Sequence, residues 1–297
     1  MLLKNWLAGL ARKQPLSRRF TRRKWHGDLR PAVERLEDRT LLAAAFGDQA
    51  IISSGADGAS SVFAVDVDGD GDMDVLSASH DDDTVAWYEN DGSQNFTERV
   101  ISTVADQAFD VFAADVDGDG DIDVLSASGL DDKIAWYEND GSQNFTEHVV
   151  SASAANAASV FAVDVDGDGD IDVLSASRTD DKIAWYENDG SQSFTAHVIG
   201  TGDWASSVSA SDVDGDGDMD VLAVFAAEDR IAWYENDGSQ NFTGHTVSWA
   251  ADSPRNASAV DLDGDGDTDV LSASSDDDTI AWYENDGSQN FTAHTIR

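Results

Sequence analysis

Short apolar, β-branched runs alternate with polar turns along most of this sequence. In one stretch, runs at 61–65 and 75–79 flank an Asp-rich segment, and runs at 84–89 and 96–101 follow after two further turns. The turn at 90–94 is rich in residues that tolerate positive φ. Short runs separated by turn signals about every 8–12 residues are typical of antiparallel strands. The pattern therefore predicts a four-stranded antiparallel sheet.

This four-strand pattern occurs five times. The Asp-rich segment begins at Asp66, Asp115, Asp164, Asp212 and Asp261, and these starts are 49, 49, 48 and 49 residues apart. A period of this length, filled by four strands, predicts the blades of a β-propeller. We therefore predict an all-β fold in which five four-stranded antiparallel blades form a closed or nearly closed ring over residues 46–297. The predicted repeats span approximately 55–102, 103–151, 152–200, 201–248 and 249–297.

One extra strand precedes the first full repeat. Residues 46–53 align with the outer strand of a repeat, at 96–102. Because five complete blades follow, this strand must compete with 291–297 for the edge of the last blade or lie outside the sheets.

Charge divides the chain into two parts. The net charge is −41 over 297 residues, but residues 1–45 hold 11 Lys/Arg against 4 Asp/Glu, and the remainder holds 7 against 55. A surface with the charge of the second part repels nucleic acid and anionic membranes. No run approaches the roughly 18 apolar residues of a membrane span. The chain has no cysteine, so an extracellular form cannot be stabilised by disulfides. A bound metal can stabilise the fold instead.

The basic segment at 1–45 differs from the repeats. Its residues 36–42, Leu-Glu-Asp-Arg-Thr-Leu-Leu, resemble the export-linked Leu-Glu-x-Arg-x-Leu-Leu motif of large planctomycete surface proteins. Three alanines follow at 43–45 and suit a small-residue cleavage site. The resemblance implies a bacterial protein that is secreted or held at the cell surface. A short amphipathic helix and a disordered tail remain alternative interpretations of this segment.

The Asp-rich segment has the chemistry of a calcium loop. Calcium takes six to eight oxygen ligands, which a loop can supply at alternate positions. We expect the carboxylates of Asp66, Asp68, Asp70 and Asp74 to converge, and Asp72 to contribute its backbone carbonyl. The apolar positions 2 and 8, Val67 and Met73 in the first loop, are expected to point toward the blade packing. An EF-hand does not fit, because it needs a Glu at position 12 and flanking helices.

The same roles are predicted for the other four loops, which gives about five Ca²⁺ sites. Mg²⁺ suits such a cage less well, and Zn²⁺ would favour nearby His or Cys. The equivalent ligands, with the seventh position included, are Asp115, Asp117, Asp119, Asp121, Asp123, Asp164, Asp166, Asp168, Asp170, Asp172, Asp212, Asp214, Asp216, Asp218, Asp220, Asp261, Asp263, Asp265, Asp267 and Asp269.

Two repeated motifs together resemble a known family. The sequence Asp-Val-Asp-Gly-Asp-Gly-Asp-x-Asp-Val-Leu, followed by Trp-Tyr-Glu-Asn-Asp-Gly and a Phe-led strand, resembles the FG-GAP/VCBS repeat of integrin α-subunits and many bacterial surface proteins. The resemblance covers about 46–297. It implies one four-stranded blade per repeat, with Ca²⁺ in the loop between its first two strands. Integrin-type propellers have seven blades, whereas this chain has five complete loops.

Repetition also bears on function. The Trp at position 87 and its copies favour core packing over a sugar platform, and the repeated His at position 148 is expected to be exposed. No catalytic motif is evident, and the Asp sites repeat fivefold whereas an active site normally occurs once. A single ligand site must break the repeat symmetry, so we place it on the face opposite the Asp loops, where the turns vary. The candidate ligand residues there are Trp204, Trp249, Arg178 and Arg255.

The sequence is therefore interpreted as an exported, calcium-binding propeller that binds an extracellular protein or glycan. Two alternatives remain at this point. One is a carbohydrate-active propeller enzyme, such as a hydrolase or lyase. The other is a truncated propeller that needs partner blades.

Overall fold

The computed structural model of the protein describes residues 50–296 and contains five sheets of four strands within that range. Each sheet is one blade, numbered in chain order. Blade 1 holds β1 (Ala59–Val65), β2 (Asp74–Ser79), β3 (Thr84–Asn90) and β4 (Phe96–Ser102). Blade 2 holds β5 (Ala108–Ala114), β6 (Asp123–Ser128), β7 (Lys133–Asn139) and β8 (Phe145–Ser151). Blade 3 holds β9 (Ala157–Val163), β10 (Asp172–Ser177), β11 (Lys182–Asn188) and β12 (Phe194–Thr201).

The last two blades repeat the arrangement. Blade 4 holds β13 (Ala205–Ser211), β14 (Asp220–Phe225), β15 (Arg230–Asn236) and β16 (Phe242–Ser248), with a short 3-10 helix at Ala226–Glu228 between β14 and β15. Blade 5 holds β17 (Pro254–Val260), β18 (Asp269–Ser274), β19 (Thr279–Asn285) and β20 (Phe291–Ile296). The predicted all-β fold of five four-stranded blades is confirmed, and the predicted strands of blade 1 agree with the observed ones to within two residues at each end.

Every blade is an antiparallel meander in sequence order. In blade 1, Leu76 on the second strand lies opposite Phe63 on the first and Trp87 on the third. Asp74 lies opposite Val65 at the end of the same pairing. The Asp-rich loop therefore closes the first hairpin of each blade.

The core lies between blades. One cluster joins Leu76, Val85 and Trp87 of blade 1 to Val111 and Tyr137 of blade 2, all of them buried. The next two interfaces repeat this cluster, and the fourth does so with fewer members. Burial of each large apolar side chain contributes about 1.5–3 kcal/mol of transfer free energy, so these interfaces between blades are the main source of stability. The predicted core role of the repeated Trp is confirmed in blades 1–4, where it is at most 2% exposed.

The fifth blade ends the stack with an uncovered face. Ile280 is 56% exposed, whereas its equivalents Ile134, Ile183 and Ile231 are 0% exposed. Leu262 is 45% exposed, against 2% for the equivalent Val67. No following blade among the described residues covers this face, so the interface seen between consecutive blades does not recur there.

The extra strand expected at 46–53 is not observed where the structure describes it. Residues 50–53 form no strand, and β20 occupies the edge of blade 5 beside β19. Residues 46–49 and the predicted N-terminal segment at 1–45 lie outside the described residues. Within the described part of the chain, no helix is long and apolar enough to cross a membrane.

Candidate metal centres and a polar cavity

Each Asp-rich loop is folded around the carboxylate of its first residue. Asp66 accepts hydrogen bonds from the backbone N–H groups of Gly69 (2.9 Å) and Gly71 (2.9 Å). Both glycines have positive φ, 73° and 96°, a conformation that glycine adopts without steric cost. The third and fifth residues, Asp68 and Asp70, each accept a bond from the N–H two positions later. The loop is therefore held by its own carboxylates in a shape that brings them together.

Three carboxylates converge in every loop. In each set, one oxygen from each residue lies within 4.8 Å of the others. An all-oxygen, anionic donor set of this kind fits a hard cation such as Ca²⁺. Burial, with neighbouring carboxylates adding to it, raises the pKa of the third-position Asp. The sets are Asp66, Asp68 and Asp70; Asp115, Asp117 and Asp123; Asp164, Asp166 and Asp172; Asp212, Asp214 and Asp220; and Asp261, Asp263 and Asp265.

The ninth-position Asp links the loop to the third strand. In blade 2, Asp123 is fully buried and accepts hydrogen bonds from the N–H groups of Val116 (3.0 Å) and Asn139 (2.8 Å). Burial raises the pKa of Asp123 to about 6 despite these bonds, and the same holds for Asp172 and Asp220. The position thus joins three of the five clusters and also anchors the loop to the sheet.

The seventh-position side chain lies outside these clusters. The Asp72 carboxylate packs against Gly92 in the turn between β3 and β4, so closely that a Cβ at Gly92 would collide with it. The same contact occurs in all five blades. It explains the glycine of the repeated turn, and it places the Asp loops and these turns on one face of the blades.

The expectation for the apolar loop positions is right for Val67 and wrong for Met73. Val67 is 2% exposed, but Met73 is 55% exposed. The equivalent of Met73 in blade 2, Ile122, packs into the interface with blade 1. Among the described residues no blade precedes blade 1, so Met73 has no such partner.

An asparagine that sequence analysis did not single out ties neighbouring blades together. The Nδ2 of Asn139 donates to the carbonyl of Ile122 in its own blade (3.1 Å) and to that of Val67 in the preceding loop (3.4 Å). Asn188, Asn236 and Asn285 repeat both bonds. Its occurrence in every copy of the Trp-Tyr-Glu-Asn motif is the sequence feature that could have pointed to this role.

The repeated histidine belongs to a cross-strand stack. His148 lies over the Trp136 ring with centroids 4.6 Å apart, and its Nε2 is 2.7 Å from a Glu138 carboxylate oxygen. The side chain is partly exposed, at 42%. In blade 1, Arg99 takes this place over Trp87 and pairs with Glu89. The position therefore covers one face of the tryptophan ring with a polar group.

On the face opposite the Asp loops, residues of the first strands of all five blades line one polar cavity. Its volume is about 460 Å³. Asp110 of β5 lines it and accepts hydrogen bonds from the Ser61 hydroxyl (2.7 Å) and the Val160 N–H (3.1 Å). Burial raises the pKa of Asp110. The other lining residues are Ser60, Phe109, Ala158, Ser159, Arg178, Ser206, Ser207, Arg255 and Asn256.

Of the four candidate ligand residues, the structure brings two together. Arg178 and Arg255 both line the cavity. Trp204 and Trp249 lie in the linkers before blades 4 and 5 and are 46% and 64% exposed. Arg230 lies over the Trp249 ring, 5.4 Å from its centroid. The two tryptophans are thus surface residues that stand apart from the cavity lining.

Solved structures share the fold at low sequence identity. A lectin from Agrocybe aegerita, described for recognition of non-reducing terminal N-acetylglucosamine, has a TM-score of 0.55 and 20% identity over 79% of this chain and 65% of its own. The V. cholerae biofilm matrix protein Bap1 has a TM-score of 0.51 and 22% identity over 81% of this chain and 40% of its own. Virginiamycin B lyase from Staphylococcus aureus has a TM-score of 0.57 and 14% identity over 84% of this chain and 73% of its own.

These similarities concern the architecture. The chain spans 65% and 40% of the lengths of the first two proteins, and the identities are all below a quarter. Among proteins with curated functions, none shows significant sequence similarity to this chain.

The family is identified at the level of the repeat. The model of the FG-GAP-like repeat matches five consecutive, overlapping stretches, at 66–126, 115–175, 164–223, 212–272 and 261–296. Each stretch starts at the first Asp of a loop whose carboxylates converge. The chain therefore belongs to the FG-GAP-like repeat family.

Proposed function

We propose that the protein is an exported or cell-surface, calcium-binding propeller module of a bacterium, which binds an extracellular protein or glycan. The observation that carries the calcium assignment is the fivefold convergence of three carboxylates within 4.8 Å. Bound Ca²⁺ would supply the positive charge that offsets these groups. The residues at positions 1, 3, 5 and 9 would hold it with their side chains, and position 7 would do so with its backbone carbonyl.

Calcium titration tests this assignment. Isothermal titration of the chelator-treated protein is expected to give about five sites, one for each loop. The Asp166→Asn variant should lose one of them. Binding to the folded state alone stabilises it by mass action, so excess chelator should lower the melting temperature sharply. An unchanged melting temperature in chelator would contradict the proposal.

A binding role is favoured over catalysis by the composition of the cavity. Asp110 is the single carboxylate among the described residues that line it, and both of its oxygens already accept hydrogen bonds. General acid–base chemistry on a glycoside normally uses two carboxylates. One of the similar structures is a lyase, so polysaccharide hydrolase and lyase screens are the direct check. Turnover that depends on Asp110 would overturn the binding role.

A second candidate, an incomplete propeller completed by another copy of the chain, is favoured by the uncovered face of blade 5. Ile280 and Leu262 sit where blades 1–4 bury the equivalent residues against the next blade. A heterologous contact of this kind pairs one end of a copy with the other end of the next. Sedimentation of calcium-saturated protein should then show concentration-dependent association that Ile280→Glu abolishes. A monomer at all concentrations would exclude this candidate.

A further inference from the structure

Few basic side chains in the described part of the repeat region lack an acidic partner, and the two that do lie together. Residues 50–296 contain six Lys/Arg within a region where acidic residues outnumber basic ones severalfold. Four of the six form ion pairs with carboxylates: Arg99, Lys133, Lys182 and Arg230. The remaining two, Arg178 and Arg255, form no ion pair with the described residues, and both line the polar cavity. In a region this acidic, two unpaired arginines in one cavity require a physical reason.

The Arg178 side chain is oriented by an aromatic ring, but one of its N–H groups lacks a hydrogen-bond partner within the described part of the chain. It follows β10 directly, and its guanidinium carbon lies 4.4 Å from the centroid of the Phe109 ring. Its Nε is buried and has no hydrogen-bond partner among the described residues. Stacking on an aromatic face orients a guanidinium and leaves its N–H groups free around the edge. The side chain therefore presents donors to the cavity.

Arg255 adds a second cation from another blade. Its Nε donates to the Ser275 hydroxyl at 3.0 Å, which fixes the side chain at the start of blade 5. Burial, followed by the charge of Arg255, lowers the pKa of Arg178. Two like charges and an unpartnered buried N–H both cost free energy in the protein alone. A bound oxyanion would offset the repulsion between the two guanidinium groups, because guanidinium groups bind carboxylates through paired N–H donors.

The rest of the wall suits a hydroxylated molecule. Ser60, Ser206 and Ser207 contribute hydroxyls, and Asn256 contributes an amide. The two carboxylate oxygens of Asp110 already accept hydrogen bonds from Ser61 and Val160. A volume of about 460 Å³ lies within the usual range for small-molecule sites, about 300–1,000 Å³. The cavity thus combines one cationic end with a polar wall.

We propose that this cavity binds a small hydroxylated carboxylate, such as an acidic sugar residue, with its carboxylate held by Arg178 and Arg255 and its hydroxyls by the serine and asparagine wall. The site rests on the proposed binding function and names its ligand class. It also breaks the fivefold symmetry, because the other blades carry no arginine at the positions of Arg178 and Arg255.

Isothermal titration of calcium-saturated protein with glucuronate, glucose and inorganic sulfate tests the site. Glucuronate is expected to bind at least tenfold more tightly than either of the others, since only it carries both the carboxylate and the hydroxyls. Arg178→Gln and Arg255→Gln should each weaken glucuronate binding at least tenfold. Arg99→Gln makes the same charge change at an exposed ion pair on an outer strand, and it should leave the affinity unchanged.

Several results would overturn the proposal. The proposal is wrong if Arg178→Gln binds glucuronate as tightly as the unmodified protein, or if Arg99→Gln weakens glucuronate binding as much as Arg178→Gln does. It is also wrong if sulfate binds as tightly as glucuronate, or if glucuronate does not bind at all. Melting curves of each variant with calcium establish that it is folded. The calcium loops lie on the opposite face. Absence of glucuronate binding by the unmodified protein, with calcium binding intact, therefore refutes this site alone, whereas absence of calcium binding refutes the proposed function.

Discussion

At the scale of the residue, Asp110 shows how one position in the repeat acquires a distinct character. Its equivalents Ser61, Ser159, Ser207 and Asn256 are neutral, and all five residues line the polar cavity. Burial raises the pKa of Asp110 above its ordinary value of 3.8, although Ser61 and Val160 donate hydrogen bonds to it. The carboxyl group therefore binds a proton more readily in the folded than in the unfolded chain. Through linkage, folding stability must fall as pH rises from 3.8 through the raised pKa.

The Asp110→Asn substitution is expected to flatten this part of the pH dependence, because the amide does not titrate. Chemical denaturation of calcium-saturated wild type and variant over a pH series measures it. Asp140→Asn is the control of opposite sign, since a hydrogen bond from Asn144 lowers the pKa of Asp140 and stability from that group is lost as pH falls. Identical pH profiles for wild type and Asp110→Asn would contradict the assignment.

At the scale of the element, the turn that closes the third and fourth strands is part of the loop architecture. In blade 3, Asn188 accepts hydrogen bonds from Gly190 and Gln192 within the turn and donates to Ile171 in the adjacent loop. It also donates to Val116 in the preceding blade. One side chain thus connects a turn, a loop and a neighbouring sheet, which explains its place in every repeat.

Replacing this asparagine should cost more inside the stack than at its start. Asn90 makes the same bonds within blade 1, but no described blade precedes it. Asn188→Ala is therefore expected to lower the free energy of unfolding by about 1 kcal/mol more than Asn90→Ala, the usual net contribution of one hydrogen bond. Urea denaturation of both variants measures the difference. Equal losses would show that the bond to Val116 contributes nothing.

At the scale of the whole molecule, identical side chains differ in burial, and so in their contribution to stability, according to the blade that carries them. Ile183 is fully buried between blades 3 and 4, whereas Ile280 at the same repeat position is 56% exposed. The sequence around the two is almost the same. The difference arises only from the presence or absence of a following blade.

A matched pair of substitutions measures this difference. Ile183→Ala should destabilise the protein by about 2–5 kcal/mol, because it leaves a cavity in a packed interface. Ile280→Ala should cost about 0.5 kcal/mol or less, as for surface substitutions. Thermal and chemical unfolding at low protein concentration give both values. A large loss for Ile280→Ala would show that another blade covers it in solution.

The features that repeat could be predicted from the amino-acid sequence. Strand bounds, the five blades and the carboxylate-rich loops follow from local pattern and period, since hairpins form between neighbouring segments and the loop is bonded within nine residues. The arginines were also found from sequence, because they depart from the repeat. The three-dimensional structure was needed to show that Arg178 and Arg255 line one cavity and form no ion pair with the described residues, that Asn139 reaches the preceding blade and that blade 5 has an open face. These features depend on contacts between residues about 50 or more positions apart, and packing of separate blades, rather than local pattern, decides such contacts.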